Sequence, residues 1–359
     1  MLAAITRHPT GGGIAAVSNL VWRVFENRWG SQARLLTMFE HDNRPATFLE
    51  KSRFTVSLAC AQAIGRTDWI LFAHAGLAQV QSAIPRRFRC RYGVLLYGIE
   101  AWNPLGAAEQ QALAEADVRI AISSYTAGRV LEMHKDIGPI DVCPLALAPA
   151  ALSPPRSAAD MTLPLGPHVV LVVARMIAAE RYKGHDQVID AWPAVVARVP
   201  DAQLVIVGTG DDRPRLMNKA EQSSAAASIL FTGFVPDATL DTLYRRAALF
   251  ALPSRGEGFG LVYLEAMARG VPCVGSIHDA AREVIADGET GRLVDQGDVG
   301  ALAEAIAALL IDETQRLAMG EAGRLRVRDC FTFEHFRERL CGLLPADPPH
   351  SASASVPAV

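Results

Sequence analysis

The stretch Leu252–Ser276, LPSRGEGFGLVYLEAMARGVPCVGS, decides the fold. It reads as strand end, glycine-rich turn, helix and strand. Gly256, Gly258 and Gly260 stand just before a helix that begins near Leu261, and the apolar run Val271–Val274 closes the unit. A strand, a crossover helix and a second buried strand make a βα repeat of a parallel sheet. The helix start turns unpaired N–H groups and the positive end of its dipole outward, which favours an anion there. Glu257 falls in the loop and Glu265 about one turn into the helix. Carboxylates beside a phosphate would repel it, so they fit better as acceptors for hydroxyls on a ligand that also carries phosphate. A nucleotide sugar has both groups. The plainer alternative makes Glu257 a solvated loop residue and Glu265 a helix-surface charge.

Working outward, the segment Val172–Trp192, VVARMIAAERYKGHDQVIDAW, places Arg175 directly after a strand. That is the carboxyl edge of the sheet, where open α/β sheets bind ligands. Lys183 follows before Gly184 and an amphipathic helix with Val188, Ile189 and Trp192 on its apolar side. Two cations at one sheet edge can clamp a diphosphate and stabilise its charge as a sugar leaves; taken singly, each reads as a surface cation. His185 reads as the opening of the helix, not as a catalyst. A third glycine cluster, Gly11–Gly13, follows the first strand and opens another helix, so Gly12 and Gly13 can approach a phosphate. It lacks the GxGxxG spacing of a dinucleotide site, and Glu40 is the nearest acid for a ribose. A dehydrogenase is therefore disfavoured.

The βα alternation runs through nearly the whole chain. Runs of four to six residues that are not polar at alternate positions occur at Leu2–Thr6, Ala33–Met38, Trp69–Ala73, Gly93–Tyr97 and Val118–Ile122. Similar runs, four to seven residues long, recur at His168–Ala174, Gln203–Val207, Ile229–Thr232, Leu249–Leu252 and Val271–Val274. Strands buried on both faces read this way. Between the two sets lies a proline-rich stretch, APAALSPPRSAADMTLPLGP. The expected architecture is α/β: two Rossmann-like doubly wound domains facing across a cleft. An acceptor-side domain spans 1–152, a linker 153–167 and a donor domain 168–328. A C-terminal helix, 329–344, crosses back to the first domain, and a disordered tail of low complexity occupies 345–359. Gly300–Leu310 has helical spacing, and Phe331–Leu344 is the last predicted helix.

Length and composition agree. A chain of 359 residues exceeds what one core usually serves, and 50% hydrophobic with 20% charged residues is globular. A net charge of −3 argues against general nucleic-acid binding. Six cysteines, at 60, 90, 143, 273, 330 and 341, show no CxxC pair or metal spacing and read as reduced thiols. No apolar run reaches about 18 residues, and the N-terminus does not read as a signal peptide. A cytoplasmic protein is expected, peripheral on the inner face of the membrane if IPRRFRCRYG rests on anionic lipid. That segment interleaves Arg86, Arg87, Arg89 and Arg91 with Phe88, Cys90 and Tyr92; a solvated basic turn is the alternative.

The motif Gly256-Glu257-Gly258-Phe259-Gly260 through Glu265, with Arg175 and Lys183-Gly184-His185-Asp186 upstream, resembles glycosyltransferase family 4. The likeness is specific from about Val169 to Val294; the first half matches only in layout and in the Gly11–Gly13 loop. It implies the GT-B fold and sugar transfer with retention of configuration. It implies that Glu265 holds the donor ribose and Glu257 the hydroxyls of the transferred sugar. Arg175 and Lys183 would bind the diphosphate, helped by backbone amides at Phe259, Gly260 and Leu261, with Gly233 and Phe234 bordering the base. No metal or other cofactor is expected, and no Asp-x-Asp motif stands in a suitable place. Two departures matter. Many relatives carry His-Gly after the fourth strand, where this chain has Tyr97-Gly98. Tyrosine is a poor base at neutral pH, although it can hydrogen-bond the sugar or acceptor, and His74 is a substitute near the cleft unless it is simply a packed histidine. The family is thought to pass the acceptor's proton to the leaving phosphate, so the exchange need not abolish activity. Relatives also often have Gly-Gly where this chain has Asp279-Ala280, and Asp279 reads as a helix cap. The function expected is hexosyl transfer from a nucleoside diphosphate sugar to a glycan or lipid-linked acceptor in polysaccharide or glycolipid synthesis. The alternatives are an epimerase or phosphorylase on the same scaffold, or a non-catalytic nucleotide-sugar-binding subunit.

Overall fold

A computed structural model describes residues 1–8, 12–39, 46–65, 67–149 and 165–345. Gly11, Glu40, residues 153–164 of the linker and residues 346–359 of the tail lie outside the described residues. Two six-stranded sheets, parallel throughout, carry the fold. The first has the order β2-β1-β3-β4-β5-β6, from β1 (Leu2–Ala4), β2 (Leu35–Thr37), β3 (Trp69–Phe72), β4 (Arg91–Leu96), β5 (Val118–Ala121) and β6 (Asp141–Val142). The second has the order β12-β11-β10-β7-β8-β9, from β7 (Val169–Val173), β8 (Gln203–Val207), β9 (Ile229–Gly233), β10 (Leu249–Ala251), β11 (Cys273–Ser276) and β12 (Gly291–Val294).

The central strands are apolar on both faces because helices cover both sides of each sheet. Val169–Val172 and Leu249–Ala251 are fully buried. All ten runs seen in the sequence are strands, with ends shifted by a residue or two. The edge strands β6 and β12 carry no such run. β12 reads GRLV with Arg292 exposed, since an edge strand needs only one apolar face. The helix Glu313–Cys330 is also invisible to a hydrophobic pattern, because glycine forms much of its packed face. Gly320 and Gly323 are buried, and a Cβ at Gly320 would lie 2.0 Å from the Gly270 carbonyl oxygen.

In each sheet the strand order reverses once, between β1 and β3 and between β7 and β10. Adjacent loops there diverge to opposite faces and leave a crevice at the carboxyl edge. Two crossings join the halves. At the second, the Leu147 amide donates to the Phe331 carbonyl (3.1 Å), so the crossings lie side by side. The helix Phe333–Leu343 then lies on the first half. Arg28 from the helix Gly12–Trp29 donates to the carbonyls of Cys341 (3.0 Å) and Pro345 (2.9 Å), and Arg23 sits over the Phe333 ring.

Candidate active site

The reversal between β7 and β10 collects the residues of the two sequence motifs. β7 ends at Val173 and delivers Arg175; a 3-10 segment, Ala178–Lys183, follows, and the helix His185–Arg198 starts after Gly184. β10 ends at Ala251 and delivers the loop that carries Glu257 into the helix Leu261–Met267. The loops touch closely: a Cβ at Gly184 would sit 2.5 Å from the Pro253 carbonyl oxygen. Lys183 Nζ therefore meets Glu257 Oε1 at 2.6 Å, with both side chains largely buried. Glu257 is no solvated loop residue. Neutralisation by Lys183 is what allows the pair to stand away from water. Arg175 is more exposed and binds Glu180 Oε1 at 2.5 Å. Each of the two cations expected at a diphosphate thus already has a carboxylate partner.

The glycine-rich loop does not leave all its amides bare. The Gly256 amide donates to Ser254 Oγ (3.1 Å) and the Glu257 amide to Asp279 Oδ2 (2.9 Å). Among the described residues the amides of Phe259, Gly260 and Leu261 have no acceptor, and Gly260 turns the chain into the helix at φ +91°. The Phe259 side chain is buried edge-on against Phe331 (centroids 5.9 Å), so only its backbone faces the crevice. Glu265 is not a free surface charge. The Tyr244 hydroxyl donates to its Oε2 (2.8 Å), and burial raises its carboxyl above the usual range. His185 is buried at the first position of its helix, and burial, with Lys183 nearby, lowers its pKa to about 4. It stays neutral. Gly233 ends β9, with Phe234 exposed beside it.

The first half reaches the same loop. A Cβ at Gly258 would stand 2.0 Å from the Tyr97 carbonyl oxygen, and the hydroxyls of Ser123 (2.6 Å) and Thr126 (3.2 Å) donate to the Gly258 carbonyl. Glu283 accepts from the amides of Ser124 (2.9 Å) and Tyr125 (2.6 Å) at the start of the helix Ser124–Met133, where the helix dipole favours a carboxylate. Tyr97 thus meets the Glu257 loop through its backbone. Its hydroxyl is buried beside Ser18, and burial drives its pKa far up, so it is neither a base nor a cleft-facing donor. His74 lies next to it, ring centroids 6.3 Å apart. Its Nδ1 accepts the Gly76 amide (3.0 Å) and burial lowers its pKa, so it is a neutral helix cap. Gly12 and Gly13 open their helix beyond β1, exposed, at the reversal of the first sheet. Tyr244, Ser123, Thr126 and Glu283 carry no sequence signal of their own; the contacts that make them matter join residues 20 to 160 positions apart.

The arginine segment lies elsewhere. Arg91 begins β4, whose other end meets the cleft, so Arg86–Arg91 occupy the opposite edge of the sheet, about 20 Å away at about 3.3 Å per residue. Arg86 and Arg89 bind Glu115 (3.1 and 2.8 Å), Arg91 binds Asp117 (3.0 Å), and Arg87 covers Phe88. Two carboxylates therefore halve the charge of the cluster.

With this geometry in view, comparison with known proteins is specific. The family profile described as "Glycosyl transferases group 1" matches residues 156–326. That segment is similar to group 1 glycosyl transferase domains. The GDP-mannose-dependent alpha-(1-6)-phosphatidylinositol monomannoside mannosyltransferase of Mycolicibacterium smegmatis is 34% identical over 241 residues, 64% of this chain and 62% of that protein. The D-inositol 3-phosphate glycosyltransferase of Corynebacterium glutamicum is 34% identical over 229 residues, 59% of this chain and 53% of that one. The matches therefore span less than two thirds of the length of these relatives. Among solved structures, sucrose-phosphate synthase from Thermosynechococcus elongatus superposes with a TM-score of 0.77 at 22% identity, covering 96% of this chain and 98% of that one. HepE of Anabaena, solved with UDP, superposes at 0.73 with 16% identity, covering 95% and 98%. The two facing domains have the GT-B fold of these structures. No described helix is long and apolar enough to cross a membrane.

Proposed function

We propose that this chain transfers a hexose from a nucleoside diphosphate sugar to a lipid-linked or glycan acceptor with retention of configuration, and that the donor is GDP-mannose. The observation that carries the reading is the Lys183–Glu257 pair, held at the strand-order reversal and pressed against the β4 end of the first domain. That is where a donor bound by one domain meets an acceptor bound by the other. Relatives named as GDP-mannose-dependent and acting on phosphatidylinositol mannosides support the donor and a lipid-linked acceptor. Glu265, with one oxygen held by Tyr244, offers the other to the ribose hydroxyls. Lys183 and Arg175 exchange their carboxylates for the diphosphate, assisted by the amides of Phe259–Leu261. Glu257 then orients the transferred ring. The acceptor oxygen bonds to the anomeric carbon as the bond to phosphate breaks, and the departing diphosphate takes the acceptor's proton. Among the described residues, neither Tyr97 nor His74 is a competent base at this point, which favours that route.

Transfer is proposed to need no metal; among the described residues no group of three or more His, Cys, Asp or Glu is placed to hold one. Incubation with GDP-mannose, UDP-glucose, UDP-GlcNAc and ADP-glucose should release GDP slowly by hydrolysis, at a rate unchanged by EDTA. Formation of a new sugar nucleotide, or no release from any donor, would overturn the reading. The membrane is a separate matter. We propose peripheral binding to anionic lipid, with Arg86, Arg87 and Arg91 as its exposed cations. Changing Arg86, Arg87, Arg89 and Arg91 to Ser should reduce co-sedimentation with phosphatidylglycerol vesicles by only a few-fold, because Glu115 and Asp117 offset half the charge. Equal retention of both forms would remove the segment from membrane binding.

A further inference from the structure

We propose that Asp279 is a positioning residue for Glu257: its ionised carboxylate grips the Glu257 backbone and so fixes the direction of the Glu257 side chain. The proposal rests on the transferase reading for what Glu257 does, but not for the grip itself. Asp279 is fully buried and uses both oxygens, Oδ2 for the Glu257 amide (2.9 Å) and Oδ1 for the Ala281 amide (2.9 Å). Residue 280 completes the hold from the other side, because the Ala280 amide donates to the Glu257 carbonyl (3.2 Å). Both backbone groups of Glu257 are thus tied to residues 279–280, while its side chain reaches Lys183. A Gly-Gly pair in these places could supply the Ala280 bond but not the carboxylate. The same short helix, Ala281–Val284, carries Glu283, which holds the helix Ser124–Met133 of the first domain. The grip therefore lies one turn from the interdomain contact.

The groups facing Asp279 are few. Glu257 is the like charge, with its Oε1 engaged by Lys183. Ser254 lies within hydrogen-bonding reach. Tyr263 faces it from the helix Leu261–Met267 and stays neutral, its hydroxyl donating to the Leu252 carbonyl (2.6 Å). His278, the preceding residue, turns away to Asp295 (2.7 Å). Burial first, and Glu257 second, push the Asp279 carboxyl up to about 7. Protonation converts one oxygen from acceptor to donor, and each oxygen already faces an N–H. A carboxylic acid accepts from an N–H more weakly than a carboxylate does, so the grip is strongest above about pH 7 and loosens below it. A carboxyl raised in the folded state lowers stability as pH climbs from about 4 through about 7. In its ionised form Asp279 therefore holds the loop at a cost in stability.

Amide hydrogen exchange tests the grip in the ligand-free full chain. Protection of residues 254–260, normalised to strand β8, should be several-fold higher at pH 8 than at pH 6, and about tenfold lower in Asp279→Asn at pH 8. With the donor identified by the hydrolysis panel, kcat of Asp279→Asn should fall about ten- to a hundredfold. Calorimetric affinity for GDP should stay within twofold, and the rise of kcat near pH 7 should disappear. Exchange unchanged by the substitution, or a kcat unchanged, overturns the proposal. If Asp279→Asn does not fold, the wild-type comparison decides: equal protection at pH 6 and pH 8 overturns it. Altered exchange in a protein that turns over no nucleotide sugar would leave the grip standing and defeat the transferase reading instead.

Discussion

Glu257→Gln is expected to lower kcat by about one to two decades while free GDP binds at least as tightly as to the wild type. The loss is that of a charged hydrogen bond to the ring that develops positive charge at the transition state, about 1.5–3 kcal/mol. The affinity for GDP follows from the pair itself. Removing Glu257 leaves Lys183 without its carboxylate in a largely buried place, and the diphosphate then supplies the missing anion. Lys183→Met should behave in the opposite sense, weakening GDP by about ten- to a hundredfold. Glu265→Gln should weaken GDP and the donor alike and appear mostly in KM, because the ribose does not change during transfer. Titration calorimetry with GDP beside donor kinetics separates the three. If Glu257→Gln loses GDP affinity as severely as Glu265→Gln, the two carboxylates have been assigned the wrong way round. If neither substitution has an effect, the crevice between β7 and β10 is not the donor site.

Gly258→Ala is expected to abolish most activity and to lower Tm by several degrees, without touching any group assigned to the donor. The added Cβ would fall 2.0 Å from the Tyr97 carbonyl oxygen and 3.2 Å from its carbon, backbone atoms that have no rotamer to yield with. Either the Glu257 loop or the end of β4 must move, and the hydroxyl bonds from Ser123 and Thr126 to the Gly258 carbonyl weaken with it. Overpacking of this kind costs about 1–3 kcal/mol, and each kcal/mol shifts Tm by about 2–4 °C in a domain of this size. Gly128→Ala, within the helix Ser124–Met133, is the control: a Cβ there meets nothing within 4 Å, and Tm should hold or rise. Calorimetric Tm of both variants checks this. A Gly258→Ala protein as stable and active as the wild type would show that the two domains do not meet at this loop during catalysis.

How far the sequence reached depends on the range of each interaction. The βα repeat, the buried strands and the glycine-rich helix start are local patterns of burial and backbone conformation, so Leu252–Ser276 and Val172–Trp192 disclosed both the sheet and the crevice at its carboxyl edge. Both carboxylates and both cations were legible for the same reason, each standing at a fixed offset from a strand end. The arginine segment shows the limit of such reading. Its charges are local, but Glu115 and Asp117, which offset them, and its place at the far edge of the sheet are not. Edge strand β12 and the glycine-faced helix Glu313–Cys330 escaped because neither buries a recognisable apolar stripe.

The sequence by itself determined the two α/β domains, the glycine-rich loop between β10 and its helix, and the residue types gathered there. Only the tertiary structure decided how those residues are used. It pairs Lys183 with Glu257, ties Glu257 to Asp279, hands Glu265 to Tyr244, and brings the Tyr97 carbonyl, not its hydroxyl, to the loop. Each of these contacts joins residues at least 20 positions apart. Each is set by which strand ends lie side by side in the sheets and by how the two domains meet, and no local periodicity records either.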